Sequence, residues 1–461
     1  MTLMKNRSLL KVLFVVLAAG LLTSCMGLKD TDPIEISLPE IQSFSAHSAD
    51  GYSYELTAVI LEDDKSKIVE CGFYVSDYKS MQGAEKIVSE LSDREFLSEI
   101  SISEGEQKYV CAYLSLGSDF VEVCSEVKTI VAGVAIGRNI SKYGPANCYI
   151  VSEAGLFGFE AVRGNSSEPV GDVNSVEVLW ESFGTAVTPK VGNLIRTVSY
   201  FDGIITFQTP QTFREGNAVI AAKDASGKIL WSWHIWLTDA PRECVYANNA
   251  GTMMDRNLGA TSATPGDVGA LGLLYQWGRK DPFLGSSSIS ESVEPKSTIT
   301  WPSPVFSSAS SGTIAYAVEH PTTFIKRQGD WCYTGSSSAD DARWRSTKTI
   351  YDPCPTGWRV PDGGEDGIWN KAGFDDCGYD DSDEGMLLGS GISSPATWYP
   401  ASGYRHMEYG NVGYVANFGI YWSASICSND RSYCLYFTSY DFEPSHHFLH
   451  AFALSVRCQK E

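Results

Sequence analysis

Short runs that alternate apolar and polar residues, cut by Gly, Asn, Asp and Pro, recur along much of this sequence. A period of two places successive side chains on opposite faces, so such a run is committed to a half-buried β-strand. Between residues 38 and 130 the runs fall at 54–60, 70–75, 109–114 and 121–124, the last two split by Gly117, Ser118 and Asp119. Strands at that spacing, with turn residues between them, predict a small β-sandwich. A second β unit is expected over 131–244. Its clearest element is a hairpin in which 218–222 leads through Asp224, Ala225, Ser226 and Gly227 into 229–237. On the return strand Trp231, Trp233, Ile235 and Leu237 share one face, which reads as core rather than as a sugar platform. His234, opposite them, reads as a structural histidine.

A chain of 461 residues exceeds one compact core, and about two to four domains are expected. Aromatic residues make up 12% and charged residues 20%, which excludes general disorder. The formal net charge is −21, so nucleic acid and anionic lipid headgroups are excluded as partners on electrostatic grounds.

Lys5, Arg7 and Lys11 precede an apolar run over 12–22 that is too short to cross a bilayer and reads as the core of a signal peptide. The run ends at Leu22, Thr23, Ser24 and Cys25, which resembles the bacterial lipobox. That resemblance implies a leader over 1–25, acylation of Cys25, and attachment to the outer membrane through lipid, where several acyl chains hold far better than one. Residues 26–37 then form a tether. Within it Lys29, Asp30, Thr31 and Asp32 resemble the signals that send Bacteroidetes lipoproteins to the outer leaflet. Twelve cysteines suit an oxidising compartment. No CxxC pair and no HExxH occurs, so neither a metal nor a cofactor is expected.

The strings Cys71-Gly72-Phe73-Tyr74-Val75-Ser76 and Tyr109-Val110-Cys111-Ala112-Tyr113-Leu114 resemble fibronectin type III-like modules of Bacteroidetes surface proteins. The final domain, 245–461, carries more specific strings: Met254-Asp255-Arg256-Asn257-Leu258-Gly259-Ala260, Tyr275-Gln276-Trp277-Gly278-Arg279-Lys280-Asp281-Pro282, Asp352-Pro353-Cys354-Pro355-Thr356-Gly357-Trp358-Arg359-Val360-Pro361, Tyr421-Trp422-Ser423-Ala424-Ser425 and Ser455-Val456-Arg457-Cys458. In this order they resemble the Fibrobacter succinogenes major paralogous domain, which is related to C-type lectin-like and formylglycine-generating-enzyme-like folds. The expected fold class is therefore a multidomain, mostly β chain: an N-terminal fibronectin type III/Ig-like sandwich, a second β domain, and a C-terminal α+β C-type lectin-like domain whose two ends pair in one sheet. The same resemblance implies a disulfide between Cys354 and Cys458. It would close a loop of about a hundred residues, worth ~4–5 kcal/mol. Pro353 and Pro355 impose an extended entry, and a short helix near 367–372 should bury Trp369.

No catalytic set is legible. Cys427 and Cys434 lie close in sequence without the surroundings of a formylglycine-generating site, and no GxSxG elbow occurs. Glu443-Pro444-Ser445 follows Ser428-Asn429-Asp430, the reverse of the order that calcium-dependent lectins use. The acidic group Asp375, Asp376, Asp380, Asp381, Asp383 and Glu384 reads as a solvated loop. The expected function is that of a non-enzymatic, surface-exposed lipoprotein in adhesion or associated with a fimbria. Two β modules would form a stalk, and the C-terminal domain would bind a host or microbial glycan or protein, with fimbrial subunits as further partners. The candidate ligand-binding residues are Tyr421, Asn429, Asp430, Arg431, Tyr433, Tyr436, Tyr440, His446 and His447, since Tyr and small polar side chains suit adaptable recognition. The alternative is a surface glycan-processing enzyme with β-module spacers, which would need two carboxylates about 5–10 Å apart.

Overall fold

The computed structural model describes residues 39–461 apart from 62–65, 118–120, 334–342, 375–376 and 390–396. Cys25, the leader, the tether, Asp375 and Asp376 lie outside the described residues. The protein is multidomain and mostly β, and Glu40–Glu461 is one compact unit.

The first sandwich sets the sheet Ile41–His47, Ser53–Ile60 and Glu95–Ser101 against the sheet Glu85–Ser89, Ile68–Ser76, Gln107–Leu116 and Val121–Cys124, with Lys128–Val131 also paired to Gln107–Leu116. This is an Ig/fibronectin type III-like arrangement. Alternation turns Val110, Ala112 and Leu114 inward onto Phe44, Leu56, Phe73 and Phe96. The outer face is polar and aromatic. Tyr74 and Tyr113 pack with centroids 4.8 Å apart, and Lys86 lies over Tyr113 while bridging Glu70 and Glu122.

The middle sandwich pairs the sheet Cys148–Val151, Ile229–Leu237, Gly216–Lys223 and Ser175–Ser182 with the sheet Thr197–Phe201, Ile204–Gln208, Leu156–Glu160 and Arg138–Asn139. Trp231, Trp233, Ile235 and Leu237 enter one core with Phe157, Phe159, Ile205 and Phe207. The tryptophan strand is thus core, as its periodicity indicates. Its other face is buried too. Trp236 joins Trp180, Val219 and Cys148 in a second core that continues into the C-terminal domain through Met254, Leu258 and Leu273. His234 is buried on that face. Asn217 donates through Nδ2 to the Gly259 carbonyl, so its oxygen accepts from His234 Nε2 at 2.8 Å. Burial holds this imidazole down to about 3. The middle sandwich is therefore fused to the C-terminal domain rather than serving as a free spacer.

In the C-terminal domain the first strands, Glu243–Tyr246 and Gly251–Met254, share a sheet with the last, Gln459–Lys460, and with Trp358–Arg359. The domain's two ends are paired in this way. A larger sheet runs Phe283–Leu284, Leu273–Gln276, Ala453–Ser455, Gly419–Ser428, Arg431–Phe437 and Phe442–Leu449. Among the described residues its α-helices are α1 (Ile314–Glu319) and α2 (Ile368–Ala372), so the domain is chiefly β, with less helix than an α+β label suggests. Trp369 of α2 is buried. Cys354 and Cys458 form the disulfide, with Cα atoms 6.1 Å apart across a sequence separation of 104.

A domain built so largely of loops leaves many backbone carbonyls without ladder partners, and each must find a donor. Arginines of the motif strings supply them. Arg279 donates to the carbonyls of Thr323, His320 and Pro321 near the end of α1. Arg457 donates to Asn257 Oδ1 and the Trp398 carbonyl with its guanidinium 3.6 Å from the Tyr399 ring. Lys280 reaches across to the middle sandwich, donating to the Ser232 carbonyl at 2.9 Å beside Asp281 and over the Trp231 ring. The string 275–282 is thus one part of the joint between the two domains.

Candidate functional site

The strands Gly419–Ser428, Arg431–Phe437 and Phe442–Leu449 form an antiparallel meander in which Tyr433 faces His447 and Cys434 faces His446. Because neighbours alternate, the predicted ligand residues divide between two faces and two turns. On one face, Arg431 Nη1 lies 3.4 Å from His447 Nδ1, and the Tyr433 ring covers Gly364, where an added Cβ would stand 3.2 Å from it. Tyr436 and His446 occupy the other, 4.7 Å apart, and His446 Nδ1 pairs with Glu443 at 2.8 Å. Asn429 and Asp430 sit at one turn; Tyr440, 95% exposed, sits at the other. Tyr421 belongs to none of these. It is fully buried, donating to the Pro400 carbonyl at 2.6 Å and accepting from Asn257 Nδ2 at 3.3 Å. Its assignment as a ligand contact is corrected: it is a strut of the core.

The face of Tyr436 and His446 continues onto a hairpin that the candidate set left out. Tyr404–Arg405 pairs with Val412–Gly413, and this hairpin presents His406, Tyr409, Tyr414 and Phe418. The rings run in contact from Tyr409 through His406 to Tyr404, then Tyr414 and Phe418, then Tyr436 and His446. Tyr414 and Phe418 are parallel within 5°, with centroids 4.9 Å apart. Tyr409 is 69% exposed and Tyr414 54%, whereas Tyr404 beneath them is buried.

Three local features fix the hairpin. Arg405 is buried under it, donating to the carbonyls of Leu284 and Gly410 and to Glu294. Gly403 lies so close to the Gly413 carbonyl that a Cβ would come within 2.2 Å of it. Tyr414 and Ala416 hold positive φ, 58° and 68°, a region that costs non-glycine residues and persists where surroundings enforce it. The sequence signal was available: Tyr404, His406, Tyr409, Tyr414 and Phe418 fall among Gly403, Gly410, Gly413 and Gly419. Tight turns studded with aromatics expose rings that no period-two core can absorb.

A hydroxyl–imidazole–carboxylate arrangement also occurs. Ser432 Oγ lies 2.9 Å from His450 Nε2, and His450 Nδ1 lies 2.9 Å from Asp330 Oδ2. Ser432 and His450 are fully buried, Trp277 stacks on the imidazole at 4.2 Å, and Arg343 pairs with Asp330. Against burial, which raises it, Arg343 and His450 hold the Asp330 carboxyl down to about 2. A nucleophile sealed in a core meets no substrate, so this group is a structural strut.

Among the described residues no group of three or more His, Cys, Asp or Glu is placed to hold a metal ion. Asp380 caps a turn, accepting from Ser382 N at 2.8 Å. A cavity of about 490 Å³ opens between the first two sandwiches, lined by Ala135, Gly155, Thr197, Thr206, Gln208 and Gln211 among others, and its lining carries no charged group.

No family model and no curated protein matches the chain. Solved structures with local similarity include a Bacteroides ovatus mixed-linkage glucan utilization locus protein, SGBP-B, in complex with a mixed-linkage heptasaccharide, at 13% identity over 46% of this chain and 49% of that one, TM-score 0.13. A Dscam structure concerned with isoform specificity matches at 10% identity over 45% and 56%, TM-score 0.17. The N-terminal four Ig domains of Dscam1 isoform 6.44 match at 10% identity over 42% and 50%, TM-score 0.18. The chain spans about half the length of each. At such TM-scores these likenesses carry no argument.

Proposed function

We propose that this chain is a lipid-anchored, surface-exposed outer-membrane protein, acylated at Cys25, that binds a glycan or protein ligand through its C-terminal domain. In this reading that domain is of the Fibrobacter succinogenes major paralogous, C-type lectin-like type, and the protein serves adhesion or accompanies a fimbria and its subunits. It acts by binding, not by catalysis. The observation that carries the reading is the aromatic surface from Tyr409 to His446, because rings this exposed on a braced hairpin are unusual unless they meet a ligand. The paired ends of the domain and the Cys354–Cys458 bond support the lectin-like assignment.

A glycan array run beside a hydrolysis assay on the same glycans tests the function. Binding without turnover is expected; turnover would overturn the binding reading. For the anchor, metabolic labelling with a palmitate analogue should mark the protein and fail on Cys25→Ala.

A further inference from the structure

Tyr409 and Tyr414 present exposed rings on a hairpin whose backbone is strained to hold them, and the surroundings are acidic. From this juxtaposition we infer that the aromatic surface is a stacking platform for the flat faces of sugar rings in a neutral polysaccharide. The inference rests on the proposed binding function and names its ligand class.

Tyr414 lies against Phe418 at 5° and against Tyr404 at 28°, so it is backed by aromatic surface while half of it remains in solvent. Tyr409 is backed in the same way by His406 at 23°. Rings held flat in this manner lose little freedom on binding, and their faces accept C–H groups such as those on the apolar face of a pyranose. The positive φ of Tyr414 points the same way, since a left-handed tyrosine is retained where it has a task.

The polar groups around the rings fit hydroxyl-rich partners. Asn411 and Asn417 are exposed beside Tyr409 and Tyr414, with their amide nitrogens bound to the Val412 and Val415 carbonyls and their oxygens left to accept. Charge then narrows the class. Glu443 pairs with His446 at one end of the ring row, and Glu408, which accepts from Gln328, lies beside Tyr409 at the other. Arg405 is buried and paired with Glu294, and Arg327, whose N–H bonds the Met407 carbonyl, turns its guanidinium onto Tyr333. On a chain of net charge −21, such a rim repels uronate, sulfate and sialate. A protein ligand would ask for a wider contact, of about 800 Å² per partner, with a desolvated apolar centre. Separated amphipathic rings with wet edges suit sugars better.

The test is affinity electrophoresis of the full chain through gels containing soluble β-glucan, mannan or galactomannan, with polygalacturonate as the anionic probe. Retardation in at least one neutral gel is expected, weakened about tenfold for each ring removed in Tyr409→Ala and Tyr414→Ala. Tyr414→Gly removes the ring while accepting the positive φ, so it separates loss of stacking from misfolding. Tyr78→Ala, an exposed ring on the first sandwich, should leave retardation unchanged. Retardation by polygalacturonate alone would overturn the neutral class. Neutral-glycan binding that survives the folded double variant would overturn the location. If no polysaccharide retards the chain but it binds a protein through Tyr409 and Tyr414, the sugar class falls and the binding function stands. If the rings bind nothing at all, both fall.

Discussion

Two strands of similar length show how differently this chain uses a β-sheet. Gln107–Leu116 in the first sandwich keeps Val110, Ala112 and Leu114 in the core, while its sheet turns a face of tyrosines, lysine and glutamates to water. Ile229–Leu237 in the middle sandwich is buried on both faces, with Trp231 and Trp233 in one core and Trp236 in another. The first is a module that could sit beside many neighbours. The second is the shared wall of two domains, so the middle sandwich and C-terminal domain should unfold as one body. All twelve tryptophans fall between Trp180 and Trp422, so tryptophan fluorescence reports on that fused body and is silent on the first sandwich.

The largest expected effect comes from the disulfide. Replacing Cys354 and Cys458 together by Ala should lower the stability of the fused body by about 4–5 kcal/mol. Urea unfolding followed by tryptophan emission would show it, and hydrogen exchange in Ile68–Ser76 should stay unchanged. Loss of protection in both regions would mean that the two bodies are one.

Next come the tryptophans of the shared wall. Trp233→Ala, facing the sandwich core, and Trp236→Ala, facing the C-terminal domain, should each cost about 3–5 kcal/mol, because both leave large cavities. Val88→Ala, 60% exposed on the first sandwich, should stay within about 0.5 kcal/mol. If Trp236→Ala resembles Val88→Ala in denaturation midpoint, the wall is not shared.

How much of this could be read from the sequence follows the same division. Period-two runs located four strands of the first sandwich, where one dry face imposes alternation, and the turn from Asp224 to Gly227 between two apolar runs located the tryptophan hairpin. The disulfide was also legible, as what the resemblance to lectin-like domains implies, and so was the short helix that buries Trp369. The shared wall was not: a strand buried on both faces leaves no polar period, and nothing in Ser232, His234 and Trp236 says which partner covers the second face. The division of the ligand residues was hidden for a related reason. Spacing in 421–450 gives neighbours in sequence, but the meander sends Tyr433 and Tyr436 to opposite sides, and Tyr421 into the core.

Acid should find the wall before it finds the first sandwich. The folded His234 takes up a proton only near about 3, while an unfolded one does so near 6.5. Between those values the unfolded state holds more protons, so stability falls as pH is lowered, by up to about 1.4 kcal/mol per unit for this group. The contribution is fully present above pH 6.5 and lost on approach to 3. Tryptophan emission in mild urea should therefore show a midpoint that drops between pH 6 and 4. His234→Gln should flatten that slope, at some cost at neutral pH, and an unchanged slope would move the acid-sensitive group elsewhere.

The smallest effect is expected where the first sandwich meets the second. Beside the apolar contact that Phe201 and Ile204 make with the first core, that joint carries partly exposed polar links: Ser43 Oγ donates to the Lys142 carbonyl at 2.6 Å, Lys142 Nζ pairs with Glu95 at 2.8 Å, and Lys128 pairs with Glu160 at 3.3 Å. These ion pairs stay partly in water, where attraction is screened and much of it is offset by the cost of ordering long side chains. Glu95→Gln should therefore cost about 1 kcal/mol or less, and the loss should shrink further as salt is raised. Urea midpoints of the first sandwich, read by hydrogen exchange at low and high ionic strength, measure both quantities. A cost several times larger, or one indifferent to salt, would mean that the lysine and glutamate are held in a dry interface like that of Lys280 and Asp281, and the contrast between a separable module and a shared wall would dissolve.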